Sequence, residues 1–117
     1  MNQDYSTEGA VRSFLILRED LARVLGMQTV DLLIDRGITE IREAYPLLRP
    51  VVVSRGVLSV QSLDEAFKDA ALPETMAALN ALVAVMLLIT ARLLGPQVAA
   101  TIAEGVDKGA LLRTVRL

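Results

Sequence analysis

The chain has 117 residues, 53% of them hydrophobic, and a net charge of −2 from 12 basic and 14 acidic side chains. It contains no cysteine and no histidine, which excludes disulfides, thiol nucleophiles, thiolate or imidazole zinc sites and every histidine-dependent triad. Basic residues are scattered, and the aromatics are Tyr5, Phe14, Tyr45 and Phe67, so a nucleic-acid partner, a metal and a cofactor are not expected.

The length fits one domain, 1–117. With the seven glycines the apolar share is about 59%, against roughly 45–50% for an ordinary globular domain. A small domain cannot hide that much apolar material alone. The excess must face a second copy, another protein, an apolar ligand or a membrane. The polar, acidic start "MNQDYSTEGAVRSF" lacks the pattern of a signal peptide, and the expected setting is cytoplasmic.

The first predicted helix is capped by Ser6 or Thr7, with Glu8 in its first turn. Val11, Phe14, Leu17 or Arg18, Leu21, Val24 and Leu25 recur at helical spacing up to Gly26, a natural stop. A second helix is expected from Gln28 to Ala44, carried by Val30, Leu33, Ile34, Gly37, Ile38 and Ile41 and ended by Pro46. Gly37 lies on its apolar stripe, either as a break or as a point of close approach to another helix. Asp31, Asp35, Glu40 and Glu43 alternate with Arg36 and Arg42. Paired carboxylates suit acid–base work or Mg²⁺, but this pattern reads as a solvated polar face.

From Pro46 the signal changes. Val51–Val53 and Val57–Val60 flank an Arg55-Gly56 turn, which predicts a small β-hairpin. Ser62-Leu63-Asp64-Glu65 fits a capping box and opens a short helix to Ala70. Pro73 then starts a long helix that ends at Leu94 before Gly95-Pro96.

That long helix is apolar all round. The run from Thr75 to Ala91 carries no charge over 17 residues. This is the bottom of the roughly 17–25 residues needed to span a bilayer. It contains an Asn and two threonines and has neither aromatic anchors nor a basic flank. The centre of a bundle is therefore the preferred reading over a membrane span. Leu79, Leu82, Met86, Ile89 and Leu93 form a bulky stripe, expected to face the chain's own core. Ala77, Ala81, Ala84, Leu88 and Ala91 form a mostly small one, expected to meet the same helix of a second copy across a two-fold axis. Asn80 and Thr90 are the polar candidates, at the interface or in a ligand pocket; for Asn80, plain exposure near the helix start is an equal alternative.

Residues 22–28, "ARVLGMQ", and 91–97, "ARLLGPQ", agree at five of seven positions, and each is followed by another helical segment. The expected fold class is mainly α: a bundle of two αα-hairpins, with a β-hairpin insert around 51–60. The shared heptapeptide comes either from an internal duplication or from chance among common residues. "LARVLGMQTVDLLIDRG" has a superficial helix-turn-helix look, but its second helix starts with Thr29, Asp31 and Asp35, which phosphates repel. No phosphate loop or activated hydroxyl is present in the pattern, so a non-catalytic role is expected.

The "LLGPQVA" turn and the hairpin-then-capped-helix order have the general look of small helical modules in bacterial signalling proteins, a likeness of style that implies no residue roles. The functional expectation is a homodimeric interaction or regulatory module. The alternative is a carrier or sensor of a small apolar ligand, with Asn80, Thr90 and Thr101 orienting a head group.

Overall fold

A computed structural model of the chain describes residues 6–107. In order these form α1 (Thr7–Leu25), α2 (Met27–Ile41), a 3₁₀ turn (Pro46–Leu48), β1 (Val53–Ser54), β2 (Val57–Leu58), α3 (Val60–Phe67), α4 (Leu72–Leu94) and α5 (Pro96–Asp107). The chain is mainly helical, with a two-stranded antiparallel sheet inserted between the helical pairs.

Ser6 caps α1 by accepting a hydrogen bond from the Gly9 N–H. Thr7, the alternative cap, instead donates its hydroxyl to the Ala70 carbonyl and ties the start of α1 to the segment after α3. α1 buries Ala10, Val11 and Phe14, whereas Val24 is 70% exposed. α2 stops at Ile41, three residues before the expected end, and the turn that follows delivers Leu48 to the core.

The hairpin is shorter than its sequence suggests. Val53 pairs with Leu58 and Ser54 with Val57. Arg55 and Gly56 both have positive φ, 55° and 76°, the signature of a turn whose twist matches that of paired strands. Residue 60 belongs to α3, not to a strand, because Ser59 rather than Ser62 is the cap. Ser59 accepts from the Ser62 N–H, while the Ser62 hydroxyl donates to the Ser59 carbonyl and accepts from the Val52 N–H. The capping chemistry is present, displaced by three residues, because Ser62 is recruited to hold the hairpin against the helix.

α4 is the centre of the fold and packs against α1, α2 and α5. Leu79 and Leu82 are fully buried, with Val83, Met86 and Ile89 nearly so. The bulky stripe thus faces the chain's own core, except Leu93, which is 64% exposed. Burying each such side chain stabilises the fold by about 1.5–3 kcal/mol. Gly37 lets α2 pack closely on α4: a Cβ there would sit 2.8 Å from Leu82 Cδ1 and 3.0 Å from Val85 Cγ1. The glycine is a point of close approach inside the chain, not a break.

The two related heptapeptides adopt one geometry. Gly26 has φ 87° and ψ 143°, and Gly95 has φ 98° and ψ 156°, a region open essentially to glycine alone. Each glycine N–H donates to the alanine four residues earlier, Ala22 or Ala91, and each glycine carbonyl accepts from the residue four later, Val30 or Ala99. One residue therefore closes one helix and opens the next. Exposure matches too: Val24 and Leu93, the paired positions two before the glycine, both project into solvent. At these two joints the likeness of sequence is a likeness of backbone.

Candidate functional site

The feature that stands out is the side of α4 that the other helices leave uncovered. Ala77, Ala84 and Leu88 are exposed there, Leu88 to 56%, and Ala81 and Ala91 are half-buried at its edges. All five residues of the small seam thus share the open side, because they recur at steps of 3, 4 and 7 along a helix of 3.6 residues per turn. Glu74 and Arg92 are exposed at its two ends. No charged residue lies between them.

The polar candidates divide. Asn80 flanks the open side, half-buried, and its amide N–H donates to the Met76 carbonyl at 3.0 Å. Its Oδ1 is buried without a hydrogen-bond partner among the described residues. Thr90 lies on the inner side, 2% exposed, and its hydroxyl donates to the Met86 carbonyl of its own helix. Thr101, exposed on α5, donates likewise to the Gln97 carbonyl. Such back-bonds along a helix satisfy a hydroxyl locally, and the three groups differ in setting: Asn80 half-buried, Thr90 buried, Thr101 exposed on α5.

A second cluster is one that sequence reasoning placed wrongly. Asp31 is not part of the solvated face; it is 1% exposed. Its carboxylate is gripped by the Arg18 guanidinium through Nε–Oδ1 at 2.7 Å and Nη2–Oδ2 at 2.8 Å, and Oδ2 also accepts the Leu58 N–H at 3.0 Å. Bidentate, charge-assisted bonds of this kind are the strong ones. Burial pushes the Asp31 carboxyl upward, but the Arg18 hydrogen bonds, the Leu58 N–H and the guanidinium charge together outweigh it and hold the group below its ordinary value. The bond to Asp31 raises Arg18 in turn.

One carboxylate thereby joins α1, α2 and β2, which is a structural task. The signal was present: Arg18 stands on the apolar stripe of α1, and Asp31 directly follows buried Val30. Asp35 is exposed, as are Glu40 and Glu43. Asp31 is committed to Arg18 and the Leu58 N–H rather than to Asp35, and no three acidic side chains gather at one point among the described residues.

Between the start of α1 and α3 lies a shallow cleft of about 380 Å³, lined by Thr7, Glu8, Val11, Asp64, Phe67 and Lys68. Its charged residues, Glu8, Asp64 and Lys68, are all exposed to solvent. α4 is the one helix among the described residues that is long and apolar enough to cross a bilayer, with a mean hydropathy of 2.1 over its most apolar window. Its inner side is nonetheless committed to packing against α1, α2 and α5. No protein-family model matches the chain, and no curated protein or solved structure is significantly similar to it.

Proposed function

We propose that the protein is a non-catalytic, cytoplasmic homodimeric interaction module of the kind used in signalling, with α4 at the centre of the dimer. The observation that carries this reading is the uncharged open side of α4, where Ala77, Ala84 and Leu88 face solvent along the most apolar helix of the chain. Association along this strip would remove exposed apolar surface from water. A two-fold axis makes one self-complementary strip sufficient, and alanines let two helix backbones approach to the short end of the usual ~8–10 Å.

Sedimentation of the full chain without detergent tests this. A dimer at micromolar concentration supports the reading, and a monomer at about 100 μM, where even a weak dimer of this size would form, overturns it. Ala84→Leu then locates the interface. Ala84 is exposed, so the larger side chain leaves the monomer fold intact. Overpacking costs on the order of 1–3 kcal/mol per site and is applied twice by symmetry, so the dimer constant weakens by roughly tenfold or more. An unchanged dimer constant moves the interface off α4.

A further inference from the structure

Resting on the dimer reading above, we propose that the two copies pair through α4 in antiparallel orientation, with Glu74 of each copy opposite Arg92 of the other. Both residues are exposed, and neither has an ion-pair partner among the described residues. They are 18 positions apart, which is about five whole turns at 3.6 residues per turn. Glu74 and Arg92 therefore lie on one line along the helix, on the same flank of the open side and roughly 27 Å apart.

That placement discriminates between the two ways of pairing identical helices. An antiparallel two-fold axis keeps each flank on the same side and reverses height, so Glu74 comes level with the second copy's Arg92 at both ends. A parallel axis sets Glu74 level with Glu74 and Arg92 level with Arg92, with opposite charges about 27 Å apart and screened from one another. The helix dipoles favour the antiparallel pair as well.

The same register fits the shapes. An axis midway between positions 74 and 92 lies at the height of Val83, next to Ala84, so the smallest side chains meet where the backbones come closest. Reflected about that height, exposed Leu88 reaches residue 78 of the facing helix, one step from Ala77. The one bulky side chain of the seam covers one of its smallest.

The test uses the absence of cysteine from the chain. Full-length Ala77→Cys and Leu88→Cys proteins are oxidised separately and mixed. Antiparallel pairing gives a mixed disulfide between the two variants and little self-linked product from either. Self-linked Ala77→Cys without the mixed species means parallel helices; it overturns the orientation while leaving the dimer standing. In parallel, Glu74→Arg weakens the dimer constant by roughly fivefold or more, because two attractions become two repulsions. The double variant Glu74→Arg/Arg92→Glu restores it to within about twofold; failure to restore it also overturns the pairing. A monomer in every preparation sinks the dimer reading itself. A dimer indifferent to all these changes uses another face. Association that appears only with phosphatidylcholine vesicles assigns the open side to lipid, against both proposals.

Discussion

Asp31 ties three elements together, since from α2 its two oxygens hold α1 through Arg18 and β2 through the Leu58 N–H. Removing one partner of a buried ion pair leaves the other charge uncompensated, at about 3–5 kcal/mol. Asp31→Asn is therefore expected to lower stability by about 3 kcal/mol in urea unfolding. A double change, Arg18→Met with Asp31→Leu, loses less than the single one because no lone charge remains. The pH dependence has a definite sign. The folded carboxyl titrates below its unfolded value, so its contribution is fully present above the ordinary Asp pKa of ~3.9. It is lost as pH falls through the lower folded value. Asp31→Asn should flatten the acid limb of the stability curve, and an acid limb identical to that of the natural chain would remove Asp31 from this role.

At the scale of elements, the two glycine joints invite a matched experiment. An added Cβ at Gly26 or Gly95 meets nothing within 4 Å, so substitution tests backbone conformation alone. Gly26→Ala and Gly95→Ala should each cost about 1–3 kcal/mol, and the two losses should agree within about 1 kcal/mol if the joints are equivalent. Unequal losses by calorimetry would separate the two αα units physically despite their shared heptapeptide. Gly37→Ala works by a different mechanism. The substitution gains up to ~1 kcal/mol of helix propensity, but the new methyl collides with Leu82 and Val85, and overpacking costs about 1–3 kcal/mol. A net loss of about 1 kcal/mol is expected for Ala, and Gly37→Leu should lose several times more. A stabilised Gly37→Ala protein would show that α2 and α4 pack less closely than described.

At the scale of the whole molecule, magnitudes set the strength of association. The strip of α4 between Glu74 and Arg92 is roughly 27 Å long and about 10 Å wide. That is well short of the ~800 Å² per partner in a standard interface. A dimer built on α4 alone is therefore expected to be weak, and one of standard size would need surface beyond α4. Because only the folded form presents the α4 strip, the proposed dimer predicts a melting temperature that rises with protein concentration. The rise should vanish in Ala84→Leu. A concentration-independent melting temperature in both proteins would leave α4 without a partner.

Helical periodicity located α1 and α2, whose apolar stripes recur about every 3.6 residues. α3 was legible from a capping box, α4 from its uncharged apolar run between Pro73 and Gly95, and α5 from its likeness to the segment after Gly26. The 3₁₀ turn Pro46–Leu48 was not legible. The Arg55-Gly56 turn and the glycine joints were equally legible, since only particular residues tolerate their backbone angles. The alternation of apolar stripes on α4 even separated the inner side from the open one. Three things needed the tertiary structure. Ser59 displaced Ser62 as a cap because Ser62 is drawn to the Val52 N–H, ten residues away in sequence. Gly37 became a helix–helix contact only once Leu82 lay against it. Asp31, one charge among several on an acidic helix, became a buried anchor because the Gly26 joint folds Arg18 back across it. Local sequence fixes which residues want burial and where the chain can turn. It does not say which distant group a polar atom will meet, because that depends on how the elements are packed.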